Sequence, residues 1–180
     1  MKMSVNQMVK MAVLSAMSIV LMYYVRFPII PSASFLEYEP ADVPVLITSF
    51  LYGPLAGFIV TIVVSLIQAM TVSAKSGWVG LVMHIIATGT LVIVAGLIYK
   101  KFHNFKGAII ALVAGSLCMT LVMIPSNLFF TVNFYGYPKE AVMALLPTAI
   151  VPFNLIKAGI NSVLVMLLYK SIHRVFDRFR

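Results

Sequence analysis

The stretch that decides the fold is VPFNLIKAGINSVLVMLLYK, residues 151–170. A bilayer core about 30 Å thick is crossed by roughly 20 apolar residues in a helix, and this stretch has that length and character. Lys157 interrupts it, with Asn154 three residues before and Asn161 four residues after. This spacing places the three polar side chains on one face of a helix. We therefore predict a polar stripe that faces other helices instead of lipid.

Lys157 needs a partner, because a charged side chain at depth costs on the order of 3 kcal/mol to insert. One interpretation is a structural ion pair or a lysine that snorkels to the membrane interface. The other, which we favour, is a lysine that lines a ligand cavity.

The composition of the whole chain is that of a membrane protein. Of its 180 residues 62% are apolar and 10% are charged, whereas roughly 25% are charged in soluble domains. The formal charge of +8 is scattered over helix ends, so no surface that could follow nucleic acid is expected. The predicted fold class is an all-α membrane protein, in which residues 1–180 form a single helical bundle.

The order of apolar segments predicts six transmembrane helices, the second of them short. Their approximate bounds are 8–25, 41–52, 55–73, 79–99, 107–131 and 145–169. Between residues 41 and 73 two arrangements are possible, either one long helix kinked at Pro54 or a short helix, a turn at Gly53 and Pro54, and a full span.

Charge asymmetry favours six helices with both termini cytoplasmic, because Lys and Arg accumulate on the cytoplasmic side. This arrangement puts nine basic residues inside and three outside, whereas five helices give at best eight against four. The inner residues are Lys2, Lys10, Lys100, Lys101, Lys106, Lys170, Arg174, Arg178 and Arg180. The outer ones are Arg26, Lys75 and Lys139.

An acidic, proline-stiffened segment, FPIIPSASFLEYEPADVP at 27–44, follows the first helix and should supply the counter-charge of Lys157. Asp42 could either stabilise the start of the short helix or face a cavity. We expect Glu39 to be a solvated loop acid. His84 should pack between helices, because no second His or Cys stands at ligand spacing. Pro125 could unwind the fifth helix locally beside Asn127.

Several functions are excluded by what the sequence lacks. It contains no nucleotide-binding P-loop, no H-E-x-x-H and no convincing nucleophile–base set, so neither an enzyme, a metal site nor a bound cofactor is expected. Ala12 and Ala16 stand four residues apart in the first helix, a pattern that allows another helix to approach closely. The pair could pack internally or against a partner protein.

Four segments together carry a family resemblance. They are the first helix with Ala12 and Ala16, FLEYEPADVPVLITSFLYGPLAG at 35–57, GWVGLVMHIIATGTLVIVAGLIYK at 77–100, and NLIKAGIN at 154–161. Over essentially its whole length the chain resembles the riboflavin-specific substrate-binding components of energy-coupling factor (ECF) transporters.

The resemblance implies a multi-pass protein of a prokaryotic cell membrane that binds riboflavin near the extracellular face. Its partners would be a transmembrane coupling protein and two cytosolic ATPases, with Ala12 and Ala16 at the docking surface. Riboflavin would be the transported ligand, and ATP would be used by the partners alone. The residues expected to bind it are Leu36, Glu37, Tyr38, Asp42, Gln68, Gly77, Met83, Asn127, Asn154, Lys157 and Asn161.

Three alternatives remain. The same architecture could bind another vitamin, such as thiamin, a folate or pantothenate. A small membrane enzyme that acts on a lipid or quinone lacks a convergent set of catalytic groups. A facilitator would transport without an ATPase.

Overall fold

The computed structural model describes the backbone of residues 3–177 and the side chains of residues 3–169. Lys2, Arg178 and Arg180, which were predicted to be cytoplasmic, lie outside the described residues. The side chains of Lys170 and Arg174 also lie outside them.

Helices form most of the described chain. They are α1 Val5–Tyr24, α2 Asp42–Tyr52, α3 Pro54–Met70, α4 Gly77–Lys101, α5 Phe105–Asn133, α6 Lys139–Leu145 and α7 Val151–Asp177. One small departure from the all-α prediction is a two-residue antiparallel pairing of β1 Phe27–Pro28 with β2 Glu37–Tyr38. It lies in the segment that connects α1 to α2, residues 25–41, which we call the proline loop.

The corner between α2 and α3 has the second of the two predicted arrangements. The short helix α2 ends at Tyr52, and the next residue, Gly53, has φ of 93° and ψ of 167°, in a region that is essentially restricted to glycine. Pro54 then occupies the first position of α3, where its missing N–H leaves no hydrogen bond unmade. The local sequence therefore sets the reversal of the chain.

One predicted helix start was wrong, and one possible break in a helix does not occur. The last helical stretch was expected to begin at residue 145, but helix begins at Lys139 and passes through a wide turn, Leu146–Ile150, before α7. This π-helical turn accommodates Pro147, which has no N–H to donate. In α5 the helix continues through Pro125 from Phe105 to Asn133, without the local unwinding that the proline allowed.

Among the residues that the structure describes, four helical stretches are long and apolar enough to cross a membrane. They are Val5–Tyr24, Ala74–Lys101, Phe105–Asn133 and Lys139–Tyr169. The helices α2 and α3 are shorter, with 11 and 17 residues. Since α2 is about 17 Å long at 1.5 Å per residue, six crossings and the orientation of the termini stay predictions.

Helix α2 occupies the middle of the bundle, and its residues from Asp42 to Phe50 are all buried. It packs against α1, α3, α4 and α7. Close approach of α4 depends on Gly96, because a Cβ there would collide with the Ser49 side chain and with the backbone of Pro54. Ser49 in turn donates a hydrogen bond of 2.9 Å to the Val92 carbonyl. The short helix is thereby shielded from lipid, as its length requires.

The two ends of the bundle differ in character. At one end Phe50 stacks on Tyr99 with ring centroids 4.3 Å apart, and the hydroxyls of Tyr99 and Tyr169 lie 2.9 Å apart. The ends of α2, α4 and α7 therefore meet there, and we call this the aromatic end. The proline loop lies at the opposite end, where α1 and α3 finish and α4 begins.

Gly53→Ala should lower the midpoint of thermal unfolding in detergent. The added Cβ meets no atom within 4 Å, so the loss, about 1–3 kcal/mol, comes from the backbone conformation alone. The matched control is Gly159→Ala in α7, which also has open space around its Cβ but an ordinary helical backbone. It should leave the midpoint unchanged or raise it slightly. Equal losses of stability in both variants would contradict the role given to the Gly53 backbone conformation.

Candidate ligand-binding site

The proline loop is held against the end of the bundle by its own contacts. Arg26 Nε donates a 2.6 Å hydrogen bond to Glu37 Oε2, and Phe27 pairs with Tyr38 across the two short strands. Tyr38 is buried, and its hydroxyl donates a 2.9 Å hydrogen bond to Asn161 Oδ1 on α7. Burial, together with the nearby Asp42 carboxylate, raises the pKa of Tyr38, which keeps that hydroxyl available as a donor.

Glu39 follows the second short strand and enters the protein interior. Only 2% of its surface is exposed, so the expectation of a solvated loop acid was wrong. The reason is the course of the proline loop, which turns this side chain inward. Its Oε1 accepts a hydrogen bond of 2.8 Å from Gln68 Nε2 and lies 3.2 Å from Lys157 Nζ.

The charge state of Glu39 depends on these neighbours. Burial by itself raises the pKa of the carboxyl group, but the Lys157 ammonium, the His84 ring and the Gln68 amide outweigh that effect. Together they hold the pKa well below its usual range, so Glu39 is ionised at neutral pH.

Lys157 therefore has the partner that its position in α7 demanded. Its Nζ lies 3.2 Å from Glu39 Oε1 and 3.7 Å from Asp42 Oδ2. The side chain is buried among these carboxylates and does not snorkel to an interface. Because Lys157 also lines the cavity described below, the structural ion pair and the cavity position occur together.

Asp42 connects this ion pair to two further helices. Thr88 on α4 donates a 2.9 Å hydrogen bond to Asp42 Oδ1, and Asn161 on α7 donates one of 3.2 Å to Asp42 Oδ2. Asp42 is also in the first turn of α2, where a carboxylate is favoured by the helix dipole. Of the two roles considered for Asp42, the structure shows the one at the start of α2, and Asp42 is not among the residues that line the cavity described below. We call Tyr38, Glu39, Asp42, Thr88, Lys157 and Asn161 the charge network.

A cavity of about 180 Å³ lies beside the charge network, between the proline loop and the helices α3, α4, α5 and α7. Six residues expected to bind ligand line it: Leu36, Glu37, Gln68, Met83, Asn154 and Lys157. Three more, Tyr38, Asp42 and Asn161, are not among its lining residues and lie in the charge network.

Gly77 and Asn127 are not among the lining residues either. Gly77 begins α4 with a φ of 56°. The Asn127 amide donates a 2.8 Å hydrogen bond to the Met123 carbonyl of its own helix. Asn154 makes the same kind of bond to the Ile150 carbonyl, yet it lines the cavity.

Sequence reasoning missed several lining residues, of which Glu39 and His84 have the most polar contacts. A signal for His84 was present in the spacing of Gly80, His84 and Thr88, which stand four residues apart on one face of α4. All three line the cavity. Arg26 was interpreted as a topology signal alone, but it also lines the cavity beside Glu37. The other lining residues that were not proposed are Phe35, Ser65, Ala69, Ser73, Ser76, Leu81, Ala87, Met119, Met123 and Phe153.

A concave site at one end of an apolar helical bundle, lined by apolar side chains and a few polar ones, suits the capture of a small ligand. Within residues 3–169, no group of three His, Cys, Asp or Glu side chains could hold a metal ion. The fold and the site are thus those of a membrane protein with a cavity for a small organic ligand.

Comparison with known proteins gives the family. The sequence model described as "ECF transporter, substrate-specific component" matches residues 6–169. The chain belongs to this family, which confirms the resemblance inferred from its sequence. Members of the family are transporter components, so the chain is a membrane transport protein and not an enzyme.

Related proteins align over nearly the full chain. "Riboflavin transporter FmnP" of Bacillus subtilis (strain 168) is 28% identical over 93% of this chain and 92% of its own length. "Riboflavin transporter RibU" of Staphylococcus aureus (strain TCH60) is 28% identical over 96% of this chain and 93% of its own length. The protein of the same name from Streptococcus thermophilus (strain ATCC BAA-250 / LMG 18311) is 30% identical over 91% of this chain and 81% of its own length.

A solved structure described as "Structure and mechanism of the S component of a bacterial ECF transporter" has the same fold. Its TM-score is 0.82 at 29% sequence identity, over 95% of this chain and 97% of that chain.

Lys157→Met should lower the free energy of unfolding by about 3–5 kcal/mol, because Glu39 and Asp42 would stay buried without their ammonium partner. Glu39→Gln removes one of the two carboxylates, so the double variant should lose less than the sum of the single variants. Thermal and denaturant unfolding in detergent would measure this double-mutant cycle. Strictly additive losses would show that Lys157 and Glu39 do not stabilise each other.

Proposed function

We propose that this chain is the riboflavin-binding component of an ECF importer, which captures the vitamin at the extracellular side. The observation that carries the proposal is the polar, loop-covered cavity in a chain that aligns over nearly its full length with riboflavin transporters. All 180 residues would form one membrane domain, since the apolar segments leave no room for another.

The chemistry of the cavity suits this ligand. Riboflavin has a flat apolar ring system, a pyrimidine edge with alternating acceptors and an N–H group, and a chain of hydroxyls. Phe35, Met119, Met123 and Phe153 supply apolar surface for the rings. The Asn154 amide can match the ring edge, because an amide offers both donors and acceptors.

Each of the other predicted residues has a place in the proposal. Lys157, Gln68 and Glu37 would contact polar groups of the ligand, and Leu36 and Met83 would pack against it. Tyr38, Asp42 and Asn161 would act from behind by holding the charge network. Gly77 and Asn127 would contact ligand only after a local rearrangement.

The proposed orientation has six membrane crossings, with the proline loop outside and both termini in the cytoplasm. In support, Lys100, Lys101 and Lys106 belong to the aromatic end, opposite the cavity. Their charge suits the cytoplasmic face of a prokaryotic cell membrane.

For energy the chain would depend on a transmembrane coupling protein and two cytosolic ATPases. Ala12 and Ala16 are both exposed on α1, whereas Ser15 and Ser18 face the bundle. Internal packing of the alanine pair is therefore not observed, and a partner helix could approach closely along this face.

Riboflavin should bind the purified protein saturably, as measured by quenching of its fluorescence on titration. Thiamin, folate and pantothenate should not displace it. Displacement by one of them would assign the site to that vitamin instead. Absence of quenching would remove the proposal, and turnover of any ligand by the isolated chain would favour the enzyme alternative.

Replacement of Ala12 and Ala16 together by Trp should abolish riboflavin uptake by whole cells while the affinity for riboflavin stays unchanged, because bulky side chains would keep a partner helix away. The matched control is Val113→Trp with Leu117→Trp, an exposed pair four residues apart on α5. This control should transport normally. Loss of binding in the alanine variant, or equal loss of uptake in the control, would contradict a docking role. Uptake by the isolated protein in vesicles would instead support a facilitator.

A further inference from the structure

Three buried polar atoms around the cavity have no hydrogen-bond partner among the described residues. They are Arg26 Nη1, Gln68 Oε1 and His84 Nε2, and all three residues line the cavity. A buried polar group without a partner costs roughly 1–3 kcal/mol, so such atoms point to contacts made by a ligand.

His84 presents a donor to the cavity. Its Nδ1 lies 2.7 Å from Ser65 Oγ, and that hydroxyl lies 2.6 Å from the Thr61 carbonyl. Its Nε2 lies 3.6 Å from Glu39 Oε1 and 3.9 Å from Asp42 Oδ1. A lone pair on Nε2 would face two carboxylates at these distances, which is electrostatically unfavourable. Nε2 therefore carries a proton that points toward these carboxylates.

That Nε2–H group is available to a ligand. Both carboxylate oxygens lie beyond ordinary N–H···O distance, so neither satisfies the donor fully. The ring is held in place from its other side by Ser65 on α3. His84 is thus a fixed donor between the cavity and the charge network.

Gln68 presents an acceptor beside this donor. Its Nε2 donates to Glu39 Oε1 at 2.8 Å, and because an ionised carboxylate can only accept, the orientation of the amide is fixed. Gln68 Oε1 is consequently the atom left without a partner. Gln68 and His84 converge on the same oxygen of Glu39, which places the acceptor and the donor close together.

We propose that His84 and Gln68 together hold one hydroxyl group of the ligand next to Glu39. His84 Nε2–H donates to the hydroxyl oxygen, and the hydroxyl proton is donated to Gln68 Oε1. A hydroxyl suits this pair because it is donor and acceptor at one atom. The inference rests on the proposed function and makes His84 a specificity-determining residue for the hydroxyl chain of riboflavin, since the ring system bears no hydroxyl.

Two flavins separate this role from general stability. Lumiflavin has the ring system of riboflavin but a methyl group in place of the hydroxyl chain. In His84→Phe and in Gln68→Met, riboflavin affinity should fall roughly 10- to 100-fold, while lumiflavin affinity stays the same. His84→Gln, which keeps an N–H donor, should retain more riboflavin affinity than His84→Phe. The control is Thr90→Val, at a position outside the cavity lining whose hydroxyl bonds its own helix; it should change neither affinity.

The outcomes distinguish this inference from the proposed function. If the unaltered protein binds neither flavin, the proposed function fails and the inference fails with it. If it binds both flavins equally, or if the variants lose both flavins to the same degree, flavin binding stands but the hydroxyl site is overturned. Should His84→Phe fail to fold, His84→Gln and Gln68→Met decide by the same ratio of riboflavin to lumiflavin affinity.

Discussion

The pairing of Lys157 with Glu39 and Asp42 is the interaction on which the rest of this structure depends. An ammonium group inside an apolar bundle is costly unless carboxylates lie within a few ångströms, and these lie 3.2 and 3.7 Å away. One carboxylate comes from the proline loop and the other from the start of α2. The pairing therefore fixes three parts of the chain relative to one another, and the cavity forms where they meet.

The short helix α2 makes this pairing possible. A helix that crossed the whole bilayer would place its first residue at the membrane surface, whereas α2 begins inside the bundle and presents Asp42 there. The reversal at Gly53 and the close contact at Gly96 hold α2 between its neighbours. The length of α2 and the placement of its two glycine contacts thus both serve to hold Asp42 beside Lys157.

Local features of the sequence predicted much of the fold but less of the site. The corner at Gly53 and Pro54 was predictable because backbone conformation and a missing N–H act within a few residues. The need of Lys157 for an acid followed from the cost of burying charge. The burial of Glu39 could not be predicted from the sequence, because it depends on how the proline loop lies over distant helices.

The place of His84 in the cavity was missed for a similar reason, since the partners of its ring come from α3, the loop and α2. The predicted start of the last helical stretch was wrong because a π turn accommodates Pro147, so that helix already begins at Lys139.

The spacing of the charged partners along the chain has a consequence for biosynthesis. Glu39 precedes Lys157 by 118 residues, which a ribosome that adds 5–20 residues per second would need roughly 6 to 24 s to make. During that interval the nascent chain carries both carboxylates, Glu39 and Asp42, while the lysine that pairs with them has not been synthesised. The ion pair of Lys157 with Glu39 and Asp42 can therefore form only after the ribosome has passed residue 157.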